Sequence, residues 1–98
     1  MATQSDLNII RDIILKGLQD YPVQVYLFGS QATGRASKMS DIDVAVLPQG
    51  DLPVGLLSQI REALENSPVP YRVDLIDLSQ TDKTFRQRVL KEGVSWTA

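Results

Sequence analysis

The chain is 98 residues long, 43 % hydrophobic and 22 % charged, with ten basic and twelve acidic side chains and a formal charge of −2. That balance suits a single soluble domain that buries roughly 60 to 70 % of its unfolded surface, and it creates no overall field to attract DNA or an anionic membrane. Cysteine and histidine are both absent, which removes thiol nucleophiles, imidazole bases, Ser-His-Asp triads and the usual zinc sites, and leaves carboxylates, hydroxyls, Lys, Arg and bound hard cations.

In chain order, Leu7, Ile10, Ile13, Ile14 and Leu18 recur at three- and four-residue spacing and predict an amphipathic helix over 7–18, with Ser5 or Asp6 as its N-cap. The Pro22 that follows Asp20 and Tyr21 ends it. Residues 23–28, VQVYLF, are rich in β-branched and aromatic side chains and read as a largely buried strand stopped by Gly29. A small, polar stretch over 30–40 precedes a second strand, 41–47, ending at Pro48. Its period of two places Asp41, Asp43, Ala45 and Leu47 on one face and Ile42, Val44 and Val46 on the other.

Beyond a turn at 48–51, Leu56, Leu57, Ile60 and Leu64 form the stripe of a second helix, closed by Asn66, Ser67 and Pro68. Residues 71–77 read as a third strand. Ser79 to Asp82 fit a capping box with Asp in place of Glu, and Phe85, Val89 and Leu90 supply the buried stripe of a last helix. Gly93 ends it and leaves 94–98 as a short tail. The expected fold is α/β in composition, α+β in arrangement: a small mixed sheet of three to four strands with helices packed on it. Residues 1–8 are polar and lack a signal-peptide pattern, and no run approaches the ~18 apolar residues of a membrane span. A soluble, cytoplasmic protein without membrane contact is the default expectation.

The loop after the first strand, GSQATGRA over 29–36, comes close to a phosphate-binding P-loop. That motif needs a Lys for the terminal phosphates and a hydroxyl for magnesium, and here Arg35 and Ala36 occupy those places. A different pattern emerges when the loop is joined to the next strand: Gly29-Ser30, nine intervening residues, then Ser40-Asp41-Ile42-Asp43. Carboxylates at i and i+2 of a strand leave the same face about 7 Å apart and can bracket a pair of ions, which lie roughly 3.5 to 4 Å apart in two-metal sites. Magnesium takes a few oxygen ligands from protein and the rest from water and substrate phosphate. Gly29 allows close backbone approach to a phosphate, and the Ser30 hydroxyl with neighbouring N–H groups can donate to it. The pair read alone is better taken as a plain strand-to-helix turn.

Asp74 lies inside an otherwise apolar strand, where an unpaired carboxylate is costly. It is either a third metal ligand or one half of an ion pair with Arg72, Arg11 or another base. Asp77, of opposite parity, reads as a turn or capping residue. Arg35 and Lys38 read either as solvated loop charge or as phosphate contacts, and Tyr26 and Trp96 as packing residues.

Taken together, residues 27–46, LFGSQATGRASKMSDIDVAV, with Val73-Asp74 as the later acid, resemble the minimal nucleotidyltransferases of the DNA polymerase β superfamily. The resemblance covers nearly the whole chain and implies a single minimal nucleotidyltransferase domain over 1–98. It implies that Gly29 and Ser30 hold the triphosphate of a nucleoside triphosphate, ATP above all, that Asp41 and Asp43 ligate two Mg²⁺, and that Asp74 ligates the ion that activates the attacking hydroxyl. Many relatives carry Arg where Gln31 and Thr33 stand; Arg35 and Lys38 are the nearby substitutes. Small stand-alone members are typically antitoxins paired with HEPN-domain toxins, so the resemblance implies transfer of AMP to a tyrosine of such a toxin. A non-catalytic antitoxin that neutralises by binding, and nucleotide transfer to a small molecule, are the alternatives; direct DNA binding is not expected.

Overall fold

A computed structural model describes residues 4–29 and 42–97 of the chain. The described elements are α1 (Gln4–Gly17), β1 (Val23–Phe28), β2 (Ile42–Pro48), α2 (Leu56–Glu65), β3 (Val73–Asp77), a 3-10 turn (Leu78–Gln80), α3 (Lys83–Glu92) and β4 (Val94–Ser95). The strands form one four-stranded mixed sheet in the order β3-β2-β1-β4. β1 runs antiparallel to both β2 and β4, whereas β2 and β3 are parallel. A parallel pair cannot be joined by a tight hairpin, and α2 supplies the crossover.

Alternation along the strands separates the sheet into two faces. Val25 and Leu27 of β1, Ile42, Val44 and Val46 of β2 and Leu75 of β3 point to one face, where Ile10, Ile14 and Leu18 and the α2 residues Ile60 and Leu64 complete the main core. On the other face Ala45, Leu78 and Val89 form a smaller cluster flanked by Tyr26, Phe28, Leu47 and Phe85. The strand assignments made from spacing agree with this, with Ile42, Val44 and Val46 on the core face of β2 and Asp43, Ala45 and Leu47 on the other. The small mixed sheet of three to four strands with helices packed on it, expected from the sequence, is the arrangement found.

Several finer expectations are corrected. Helix α1 already includes Gln4, so Ser5 and Asp6 lie inside its first turn rather than capping it. The last helix is capped by Asp82 itself, whose carboxylate accepts from the Phe85 N–H at 2.7 Å, while Ser79 belongs to the 3-10 turn. Leu90 is 39 % exposed, because it sits about 100° around the helix from the buried Val89. The tail is not free of structure: Val94 and Ser95 pair with Leu27 and Tyr26 as β4, and Trp96 packs against the main core. Asp77 behaves as expected of a capping residue, accepting from the Ser79 N–H at 2.9 Å and from its hydroxyl at 2.6 Å.

Candidate active site

The chain turns sharply where β1 ends. Gly29 has φ of +75°, in the left-handed region that other residues enter only with strain. A Cβ at this position would stand 2.6 Å from Asp43 Oδ2. Both the conformation and the proximity of the carboxylate therefore require glycine.

Asp43 is the cross-strand partner of Phe28 on β1 and, on its other side, the register partner of Asp74 on β3. Partners in register project to the same face, from strands about 4.8 Å apart. Asp43 and Asp74 are thus side by side on the face opposite the main core, with Asp43 next to the Gly29 turn. Asp43 is half-buried. The Asp74 side chain is 37 % exposed and pairs with Arg72, Nε to Oδ1 3.3 Å.

That pairing resolves the cost of an acid within an apolar strand. β3 lies at the edge of the sheet, so Asp74 reaches water, and its partner is Arg72 rather than Arg11, which lies 3.9 Å from Asp12. An exposed pair of this kind contributes about 0 to 1 kcal/mol. Asp74 is consequently not fixed by the fold alone and remains open to another cation.

Among the described residues no cluster of three or more Asp, Glu, His or Cys side chains forms. The site's carboxylates among the described residues are Asp43 and Asp74. Two hard oxygen donors of this type match what magnesium takes from a protein before substrate phosphates and water complete its shell, so the residues present fit that ion. Gly29, Asp43 and Asp74 are brought together; Ser30, Arg35, Lys38 and Asp41 lie outside the described residues.

Two clefts lie nearby. One of about 400 Å³ follows the outer edge of β3 and includes Arg61, Tyr71, Arg72 and Asp74. A smaller one of about 220 Å³ opens beside Gly29 under α3. The spacing of α3 marks Phe85 and Val89 as inward-facing but says nothing of a cavity beside them, since that depends on which strand the helix covers.

A mixed sheet with acids on adjacent parallel strands and a glycine turn at the end of the neighbouring strand defines the class of the protein, a nucleotidyltransferase. The family model described as polymerase beta, nucleotidyltransferase, matches residues 10–95, and the chain belongs to that family. It is 35 % identical over 86 residues to a probable protein adenylyltransferase MntA of Haemophilus influenzae, covering 88 % of this chain and 74 % of that one. Among solved structures it resembles a chain of a toxin-antitoxin complex with AMP-PNP, with a TM-score of 0.69 and 32 % identity over 90 % of this chain and 73 % of the other. It also resembles a chain of the complex between tri-AMPylated Shewanella oneidensis HEPN toxin and MNT antitoxin, with a TM-score of 0.62 and 28 % identity over 93 % and 72 % of the two chains.

Proposed function

We propose that this chain is a magnesium-dependent adenylyltransferase that moves AMP from ATP to a hydroxyl, specifically a tyrosine of a HEPN-domain toxin, and thereby acts as the antitoxin. The observation that carries this reading is the register pairing of Asp43 with Asp74 beside the Gly29 turn. The named relatives, one an adenylyltransferase and one complexed with an AMPylated toxin, support the choice of group and acceptor. The domain is taken to span residues 1–98.

Asp41, Asp43 and Asp74 would hold Mg²⁺, which when bound neutralises the triphosphate and lowers the pKa of the attacking hydroxyl. The chain's own residues do the positioning. Gly29 lets the backbone approach the phosphates, Ser30 donates its hydroxyl and neighbouring N–H groups to their oxygens, and Arg35 and Lys38 add positive charge from the same loop. The acceptor oxygen attacks the α-phosphorus, its proton passes to the Asp74 carboxylate, and the bond to the β-phosphate oxygen breaks to release pyrophosphate. No imidazole is required, which suits a chain without histidine.

The test is to incubate the protein with Mg²⁺, ATP labelled at the α-phosphate and the protein encoded by the neighbouring gene. Label is expected on the partner and lost when magnesium is chelated. Asp43→Asn and Asp74→Asn are each expected to abolish detectable transfer by removing a metal ligand, with far-ultraviolet circular dichroism unchanged. A wild type that neutralises the partner while leaving it unlabelled with every nucleoside triphosphate would establish the binding-only antitoxin instead.

A further inference from the structure

β3 is five residues long and lies at the edge of the sheet, so among the described residues strand pairing holds it on the β2 side alone. The Ile42 N–H donates to the Arg72 carbonyl at 2.9 Å. Backbone groups alternate in direction along a strand, so those of Asp74 and Ile76 also face β2, while those of Val73 and Leu75 face outward. Asp74 is the second residue of β3, close to a strand end, where local opening is easiest.

Helix α2 reaches around that open edge. Arg61 Nη2 donates to the outward carbonyl oxygen of Leu75 at 2.7 Å. Ile60 and Leu64, just before Arg61 and one turn after it, are buried in the main core, so the guanidinium extends from a fixed base. A charge-assisted bond of this kind is roughly twice as strong as a neutral one. It grips the residue directly after Asp74 from the side opposite β2. Arg61 and Arg72 both line the cleft along this edge, yet it is Arg72 that pairs with the Asp74 carboxylate. Arg61 acts on the backbone instead.

Resting on the nucleotidyltransferase reading above, we propose that Arg61 is a positioning residue, which clamps the outer side of β3 and so keeps Asp74 side by side with Asp43 for a shared divalent cation. It touches neither the cation nor the nucleotide. A single carbonyl oxygen engages only one part of the guanidinium fork, so a lysine that reaches it can take over. An arginine gripping a carboxylate or phosphate through two N–H groups has no such substitute.

The test compares the full chain with Arg61→Met, which keeps an apolar stem without the charge, and with Arg61→Lys. In hydrogen exchange followed by NMR well below the melting temperature, the Asp74 amide, which faces β2, is expected to exchange about tenfold faster in Arg61→Met relative to the Ile14 amide of α1, the scale of one charge-assisted hydrogen bond. Mn²⁺ alone, titrated and followed by electron paramagnetic resonance, is expected to bind Arg61→Met about tenfold more weakly than wild type, the scale of a lost outer-shell partner. Arg61→Lys is expected to stay within about threefold of wild type in both measurements. Equal Mn²⁺ affinity in wild type and Arg61→Met would overturn the clamp, and so would Asp74 and Ile14 amides accelerating in parallel, which marks a general contribution to stability. Arg61→Lys behaving like Arg61→Met would also overturn it. A wild type that shows this dependence on Arg61 yet labels no partner would sink the transfer reading and leave the clamp standing.

Discussion

At Gly29 one residue serves both conformation and chemistry. Its φ of +75° excludes a Cβ for backbone reasons, and the Asp43 carboxylate excludes it for spatial ones. A side chain here forces either the turn or the carboxylate to move, and Asp43 is held between two strands at register positions facing Phe28 and Asp74. Gly29→Ala is therefore expected to lose about 1 to 3 kcal/mol of stability and, beyond that, to impair transfer in molecules that remain folded. Chemical denaturation read beside labelled transfer separates the effects. A variant with reduced stability and normal transfer would show that the Asp43 position is not shared with the turn. Asp74 illustrates the contrary condition: its ion pair with an arginine that is 77 % exposed is weak enough to be exchanged for a stronger cation.

At the scale of elements, what holds each one in place differs in how well the sequence announces it. Strand alternation and helical stripes were legible because the main core repeats at periods of two and 3.6 over whole elements, as in Ile42, Val44 and Val46 or Ile10 and Ile14. Helix starts were not, because Ser5 and Asp6, or Ser79, Thr81 and Asp82, offer several capping oxygens within a turn, and only the three-dimensional path decides among them. β4 was equally invisible, since two residues carry no period. Of the site, the acids were legible by type and spacing. The edge position of Asp74 and its Arg72 partner depend on strand order, which spacing does not encode. The cap assigned to Asp82 is testable: Asp82→Ala removes the acceptor of the Phe85 N–H and is expected to cost about 1 kcal/mol, lowering the melting temperature by roughly 4 to 8 °C in a domain of this size. An unchanged melting temperature would return the cap to Ser79.

Across the whole molecule, the two faces of the sheet divide the work. Adjacent residues of β2 serve different ends, Val44 packing under α1 and α2 and Asp43 standing on the open face with Asp74. Among the described residues helix α1 packs on the first of these, so its contribution is to stability. Ile14 is fully buried in that core, and Ile14→Ala is expected to cost about 2 to 5 kcal/mol, a large fraction of the roughly 5 to 15 kcal/mol that holds a typical domain together. The same substitution leaves the acids, the Gly29 turn and the α3 stripe untouched. Labelled transfer per folded molecule, measured well below the lowered melting temperature, should therefore stay within about twofold of wild type, since distant sites act additively. Asp43→Asn should do the reverse, keeping the melting temperature and losing transfer. If Ile14→Ala instead lost transfer while still fully folded, the face that carries the core would be helping to set the acids' positions, and the division between the two faces would fail.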